Sequence, residues 1–188
     1  MSCLINEGRA SDNCKDAVGG IKGVYIANYS DIISATGTVV GTGASENVIT
    51  ATGALTVFHF ETRREAAGLS ISVNADPATG TRFFEQTLSL TFNKLTQDQA
   101  NQVKMLAYGS PNIIVEDNQG QLILLGATNG MDVTVGQMTT GQNFGDANGF
   151  TVDFVGKETV PFFTMVSSSS GGSNTAPFEN FANITVSS

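Results

Sequence analysis

Residues 82–93 read RFFEQTLSLTFN, and this stretch decides the fold class. Phe84, Leu88, Leu90 and Phe92 fall on one side of an extended chain, with Glu85, Thr87, Ser89, Thr91 and Asn93 on the other. Successive side chains of a strand point to opposite faces, so this period of two predicts a strand buried on one side and wetted on the other. The segment before it has the same period, with Leu69, Ile71, Val73 and Ala75 alternating with Ser70, Ser72 and Asn74. Between the two lies Asp76-Pro77-Ala78-Thr79-Gly80, a run of turn formers. The pair therefore reads as an antiparallel hairpin with one polar face.

Moving outward, the period changes. Thr96-Gln97-Asp98-Gln99 has the spacing of a capping box, in which the Thr side chain and the Gln three residues on satisfy each other's backbone N–H groups. Leu95 and Ala100 are placed as a hydrophobic staple, and Ala100, Val103, Leu106 and Ala107 recur at helical spacing. A helix of about three turns over 96–108 is expected, ended by Gly109 and Pro111. Strand patterns return at 113–116 and 122–125 around a turn at Asn118-Gln119-Gly120. Further on, Met131, Val133 and Val135 alternate with Asp132 and Thr134, and Phe150, Val152 and Phe154 alternate with Thr151 and Asp153. Upstream, 21–29 is rich in β formers and 55–60, LTVFHF, is apolar on both faces. The fold class that follows is mainly β: a β-sandwich or partly closed barrel with one α-helix packed outside.

Three regions are expected. Residues 1–17 read as an extended N-terminal arm, and 18–166 as the β domain with a Gly/Thr/Ser-rich extended loop at 34–50. Residues 167–188 form a Ser/Gly linker and a tail. Phe178, Phe181, Ile184 and Val186 follow that linker. Four large apolar residues gain nothing in water, so the tail is expected to dock on its own domain or on a neighbour.

Charged residues make up only 14% of the 188, against roughly 25% in ordinary soluble domains, so the polar surface must come from Ser, Thr, Asn and Gln. Nine Lys and Arg oppose 17 Asp and Glu, a net charge of −8. This balance disfavours a protein that grips nucleic acid through its phosphates. After Lys104 the only cation is Lys157, facing seven carboxylates. No apolar run has the roughly 20 residues of a membrane helix, and the first residues lack the apolar core of a signal peptide. The chain is accordingly read as made and kept, or assembled, inside a cell. Cys3 and Cys14 read as free thiols, and two Cys with one His fall short of the four ligands of a structural zinc site.

No catalytic set emerges. His59, the only histidine, lies inside the apolar strand 55–60 and reads as a strand residue with a satisfied hydrogen bond. Glu116-Asp117 reads as a solvated hairpin tip. The glycines of 37–43 lack the Gly-Lys-Ser/Thr of a phosphate loop, and 12–16 lacks the Gly and the terminal Glu of a calcium loop. Arg63-Arg64, flanked by Glu61 and Glu65, reads as a turn or an interface ion pair. The chain is expected to be no enzyme and to need no cofactor or metal.

An acidic β chain with Gly-rich arms and an apolar tail has the character of a building block that buries surface against copies of itself. Residues 81–160 carry a resemblance: TRFFEQTLSLTFNKL leads into TQDQANQVKMLAYG, followed by PNIIVEDNQGQLILLG and GFTVDFVGKETVPF. In this order of elements the chain resembles bacteriophage tail tube proteins, the β-sandwich ring formers that include the tubes of contractile injection systems. The opening CKDAVGGIKGVYIANYSDI is similar to the start of phage virion proteins. The resemblance implies a virion protein assembled in the host cytoplasm, with six subunits in a ring and rings stacked into a tube through which DNA passes. It also implies partners: copies of the chain, a tape measure protein, a tail terminator, and sheath or baseplate proteins.

On this reading Ser70, Ser72, Asn74, Glu85, Thr87, Ser89 and Thr91 line the lumen. Gly37, Val39, Val40, Gly41 and Gly43 contact the next ring, and the 1–17 arm and the 167–188 tail are exchange arms. Ordering so glycine-rich a loop costs backbone entropy that contact with a partner would offset. A lumen with few cations lets DNA slide, because each fixed cation would add a counterion-releasing contact. Two other readings fit the composition: a capsid decoration, baseplate or terminator-ring protein, and a ligand-binding β module. The absence of Trp and the presence of only three Tyr speak against a sugar-stacking site.

Overall fold

A computed structural model describes residues 18–29, 31, 48–49, 55–62, 66–165, 177–178 and 184–187. The 1–17 arm, both cysteines, Gly37, Val39, Val40, Gly41, Gly43, Arg63-Arg64, the 167–175 linker and Phe181 lie outside the described residues.

The chain runs β1 (Ile21–Ala27), β2 (Val48–Ile49), β3 (Leu55–Phe60), β4 (Ala67–Asp76), β5 (Thr81–Asn93), α1 (Gln97–Tyr108), β6 (Asn112–Asp117), β7 (Leu122–Leu125), β8 (Asp132–Thr139), β9 (Gly149–Glu158), β10 (Phe163–Met165) and β11 (Ile184–Ser187). The strands form two sheets, a seven-stranded one in the order β11-β3-β1-β6-β7-β10-β2 and a four-stranded one in the order β4-β5-β9-β8. Of the two architectures expected, the open sandwich is the one adopted, and the sheets do not close into a barrel.

The four-stranded sheet is built on the hairpin that the alternation predicts. Ala67 pairs with Leu90 and Asp76 with Thr81 in one unbroken register. The turn is locked by its first residue: the Asp76 carboxylate accepts from the Ala78 N–H at 2.9 Å and from the Thr79 hydroxyl at 2.9 Å. The Ala78 N–H is also the main cause that holds the Asp76 carboxyl below its ordinary pKa. Gly80 takes the left-handed conformation that closes the turn (φ +68°).

The core is double-layered. Between the sheets, Val24, Ile26, Ile113, Val115 and Leu125 pack against Leu88, Leu90, Phe150, Val152 and Phe154. On the other side of the seven-stranded sheet a second cluster joins Tyr25, Ala27, Leu55, Val57, Ile114, Leu122, Leu124, Phe163, Met165, Phe178 and Ile184. Strands β1 and β6 are therefore buried on both faces. This is why 24–27 and 113–115 read as unbroken apolar runs rather than alternating ones.

Helix α1 starts at the capping box. The Gln99 N–H donates to the Thr96 hydroxyl at 3.3 Å, and the Thr96 N–H donates to the Gln99 side chain at 3.2 Å. The helix lies against β8, and Val103 is its one buried residue, with Leu106 half-buried against the inter-sheet core. Ala107, expected on the apolar stripe, is exposed because the contact is narrow and the helix turns it away.

Two further expectations are corrected. Glu116 is no hairpin tip. It is the last buried residue of β6, 3% exposed, and the turn is made by Asp117, which accepts the N–H groups of Gln119 and Gln121. Val133 and Val135 do not share a face. The register of β8 shifts between them, so Val133 sits opposite Phe154 in the core and Val135 opposite Asp153 on the outside. The extra residue, Thr134, is a bulge, and a bulge moves every following side chain to the other face.

Candidate functional site

The outward face of the four-stranded sheet is the candidate site. Cross-strand partners share a face, so the registers place side chains in rows. Ser70, Thr87 and Val155 form one row, and Ser72, Glu85 and Lys157 the next. Ser89 lies beside Asp153, with Val135 beyond it, and Thr91 lies beside Thr151, with Gln137 beyond. All seven residues expected on the polar side of the hairpin, namely Ser70, Ser72, Asn74, Glu85, Thr87, Ser89 and Thr91, come together on this one surface, Thr91 through its place beside Thr151 of β9.

The register adds residues that the hairpin alone did not name. Thr151, Asp153, Val155 and Lys157 of β9 occupy the same face beside β5. Their signal was the alternation of 150–154, which fixes the two faces of β9 but not its neighbour. The hydroxyls of Thr91 and Thr151 approach to 3.4 Å, and Thr134 donates to the Asp153 carbonyl at 3.3 Å. Lys157 faces Glu85 across the strands, and its ammonium lies 5.5 Å from the centre of the Phe83 ring. The surface is thus mostly hydroxyls and carboxylates, and among the described residues its one cation is Lys157, opposite Glu85 and over the Phe83 ring. At the end of this face a depression of about 520 Å3 is lined by Glu85, Asn129, Asp132, Thr134 and Lys157, among others.

The loop bordering the depression is held from beneath by buried polar groups that the strand pattern hid. Gln86 sits on the apolar side of β5 and is 1% exposed. It accepts from the Gly126 N–H at 2.9 Å and donates to the Pro161 carbonyl at 2.7 Å. Glu158 accepts from the N–H groups of Thr128 and Asn129, each at 2.8 Å. Gln86 thereby satisfies the buried Gly126 N–H, and Glu158 pins the exposed backbone of Thr128 and Asn129 from below.

The remaining expected residues lie elsewhere. Phe178 and Ile184 are fully buried in the outer cluster, and Val186 packs against it. Strand β11 pairs in parallel with β3, from Ile184 opposite Leu55 to Ser187 opposite Phe58. His59 is half-buried on β3, with its ring stacked on Tyr25 at 4.7 Å between centroids. Of the 34–50 segment, Val48–Ile49 form β2, which pairs in parallel with β10 at the sheet edge.

Among the described residues no three His, Cys, Asp or Glu side chains are grouped as metal ligands, and no helix is long and apolar enough to cross a membrane. Comparison with protein-family models, with curated proteins and with solved structures found no match.

Proposed function

We propose that this chain is a structural subunit of a bacteriophage tail tube. Copies of it form hexameric rings, the rings stack in the virion tail, and DNA passes through the channel. The observation that carries this reading is the outward face of the four-stranded sheet. The β4–β5 pairing brings Ser70, Ser72, Asn74, Glu85, Thr87 and Ser89 onto one surface, and beside β9 that surface continues with Thr91 next to Thr151 and a single cation, Lys157, opposite Glu85. A wall of this chemistry hydrates a passing polyanion without capturing it, because phosphate capture depends on released counterions at fixed cations.

A second feature supports assembly. Among the described residues β4 and β8 each pair on one side only, so the four-stranded sheet has an open edge at both flanks. Open edges invite pairing with another chain, and a head-to-tail arrangement that closes makes a ring. The family resemblance supplies the further partners: tape measure, tail terminator, and sheath or baseplate proteins.

The test is negative-stain electron microscopy of the purified full chain across a concentration series, with sedimentation velocity alongside. Hollow tubes or six-fold rings are expected. A chain that stays monomeric at every concentration would refute the reading. Particles that decorate capsids without forming tubes would favour a capsid decoration protein.

A further inference from the structure

The four-stranded sheet has two chemically different ends. Asn93 pairs with Gly149, so the loop between β8 and β9 lies at the far end of β5, while the Asp76–Gly80 turn lies at the near end. The thirteen residues of β5 separate these ends by about 40 Å.

The far end presents one wholly exposed aromatic side chain among the described residues. Phe144 is wholly exposed, more so than any other large apolar residue described. Its loop is nevertheless tightly held. The Asp146 carboxylate accepts from the Gln142 N–H at 2.8 Å and the Asn143 N–H at 2.7 Å, and the Asp146 N–H returns to the Asn143 carbonyl at 3.1 Å. Gly141 is left-handed (φ +71°), and a Cβ there would meet the Asp146 Cβ at 2.5 Å. An exposed ring costs free energy in water, and fixing its loop in advance removes the entropy that binding would otherwise cost. That combination suits an anchor residue.

The near end presents matching chemistry. Val73, on the edge strand β4, is 61% exposed and lies opposite the half-buried Phe84. The guanidinium of Arg82, an exposed residue, lies 5.8 Å from the centre of the Phe84 ring. That planar cation lies over the ring, on a residue that is itself solvent-exposed. Exposed Val73 offers apolar contact and the exposed Arg82 guanidinium a cation, and an uncharged aromatic ring is complementary to both.

We propose that Phe144 is a knob that seats between Val73 and Arg82 of a second copy, joining the far end of one four-stranded sheet to the near end of the next. The contact is head-to-tail: knob and seat are different surfaces of one chain, so it propagates along the strand direction rather than closing a pair. The inference rests on the reading of the chain as a stacking subunit and names the residues that stack it.

The experiment compares tube formation by wild type, Phe144→Ser and Phe144→Trp in the full chain. Phe144 is wholly exposed in the folded subunit, so all three should melt alike. Phe144→Ser is expected to raise the concentration needed for tubes by about tenfold or more while leaving rings intact, and Phe144→Trp to form tubes as wild type does. Position is tested by Gly145→Cys with Ala75→Cys, in a background where Cys3 and Cys14 are replaced by Ser. A side chain at Gly145 meets open space, and Ala75 is exposed two residues beyond Val73. Oxidation of the double variant should give a ladder of linked multimers that neither single variant gives. Normal tubes from Phe144→Ser, or tubes without the ladder, would overturn the knob and leave the tube reading standing. A wild-type chain that never assembles would overturn both.

Discussion

The rings of Tyr25 and Phe178 meet edge to face, with centroids 4.9 Å apart and planes at 80°. Tyr25 belongs to the middle of the seven-stranded sheet, and Phe178 to the segment that follows the Ser/Gly linker. The contact ties the C-terminal segment to its own domain. Both rings are almost entirely buried, so Phe178, like Ile184 beyond it, is part of the core. Phe178→Ala should destabilise the protein by about 3–5 kcal/mol, the range for emptying a buried aromatic site. Urea unfolding followed by far-UV circular dichroism measures this. An unchanged midpoint would mean that Phe178 is not seated in the core in solution.

Tyr25 also gives the protein a signature at alkaline pH. Burial, followed by the charge and hydrogen bond of the Glu116 carboxylate, pushes its hydroxyl up to about 12 from its ordinary value of 10.0. The unfolded chain therefore loses this proton near pH 10 while the folded chain keeps it. Stability from this group is intact below pH 10 and falls as pH rises towards 12. Tyrosinate absorbance, taken as the difference between wild type and Tyr25→Phe, should place the transition near 12, and Tyr25→Phe should lose less stability than wild type between pH 10 and 12. A difference transition near 10 would contradict the buried contact with Glu116.

The helix contact is narrow, which makes its substitutions discriminating. Leu106→Asp sets a carboxylate against the inter-sheet core and should cost about 2–4 kcal/mol. Met105→Asp, one residue away and 70% exposed, should change stability by no more than about 0.5 kcal/mol. Thermal melts of the pair read the orientation of α1 directly. Equal effects would mean the helix is rotated from the position described.

Gln86 tests whether polarity inside the sandwich is structural. Its amide holds the Gly126 N–H and the Pro161 carbonyl. Gln86→Leu looks favourable on the apolar face of β5, yet it should destabilise by about 1–3 kcal/mol, because the buried Gly126 N–H and the half-buried Pro161 carbonyl lose their partner. A chemical denaturation series decides the sign, and a stabilised Gln86→Leu would show that water replaces the amide.

How far the sequence exposes this architecture differs from element to element. The β4–β5 hairpin and the start of α1 were legible because their signals are local: a period of two across a turn, and a capping box four residues long. The faces of β5 followed from that period alone. What was hidden depends on contacts between distant segments. Glu116 sits beside a turn in sequence, and only the pairing of β6 with β1 shows it buried next to Tyr25 and Lys22. The bulge at Thr134 leaves the apolar pattern intact while reversing the side it faces, so Val135 reads as core and lies outside. Lys157 and Asp153 joined the candidate surface only when β9 was seen beside β5. Phe144 gave no signal at all, since one apolar residue in a Gly/Asn/Gln loop has no period.

The most direct measurement is an electron cryomicroscopy reconstruction of the assembled chain at side-chain resolution. The expected result is a hollow tube of stacked six-fold rings, with Ser70, Thr87, Ser89 and Asp153 facing the channel and the seven-stranded sheet outside. A tube with these side chains on its outer wall, or an assembly with no channel, would contradict the proposal that this polar face is a conduit for DNA.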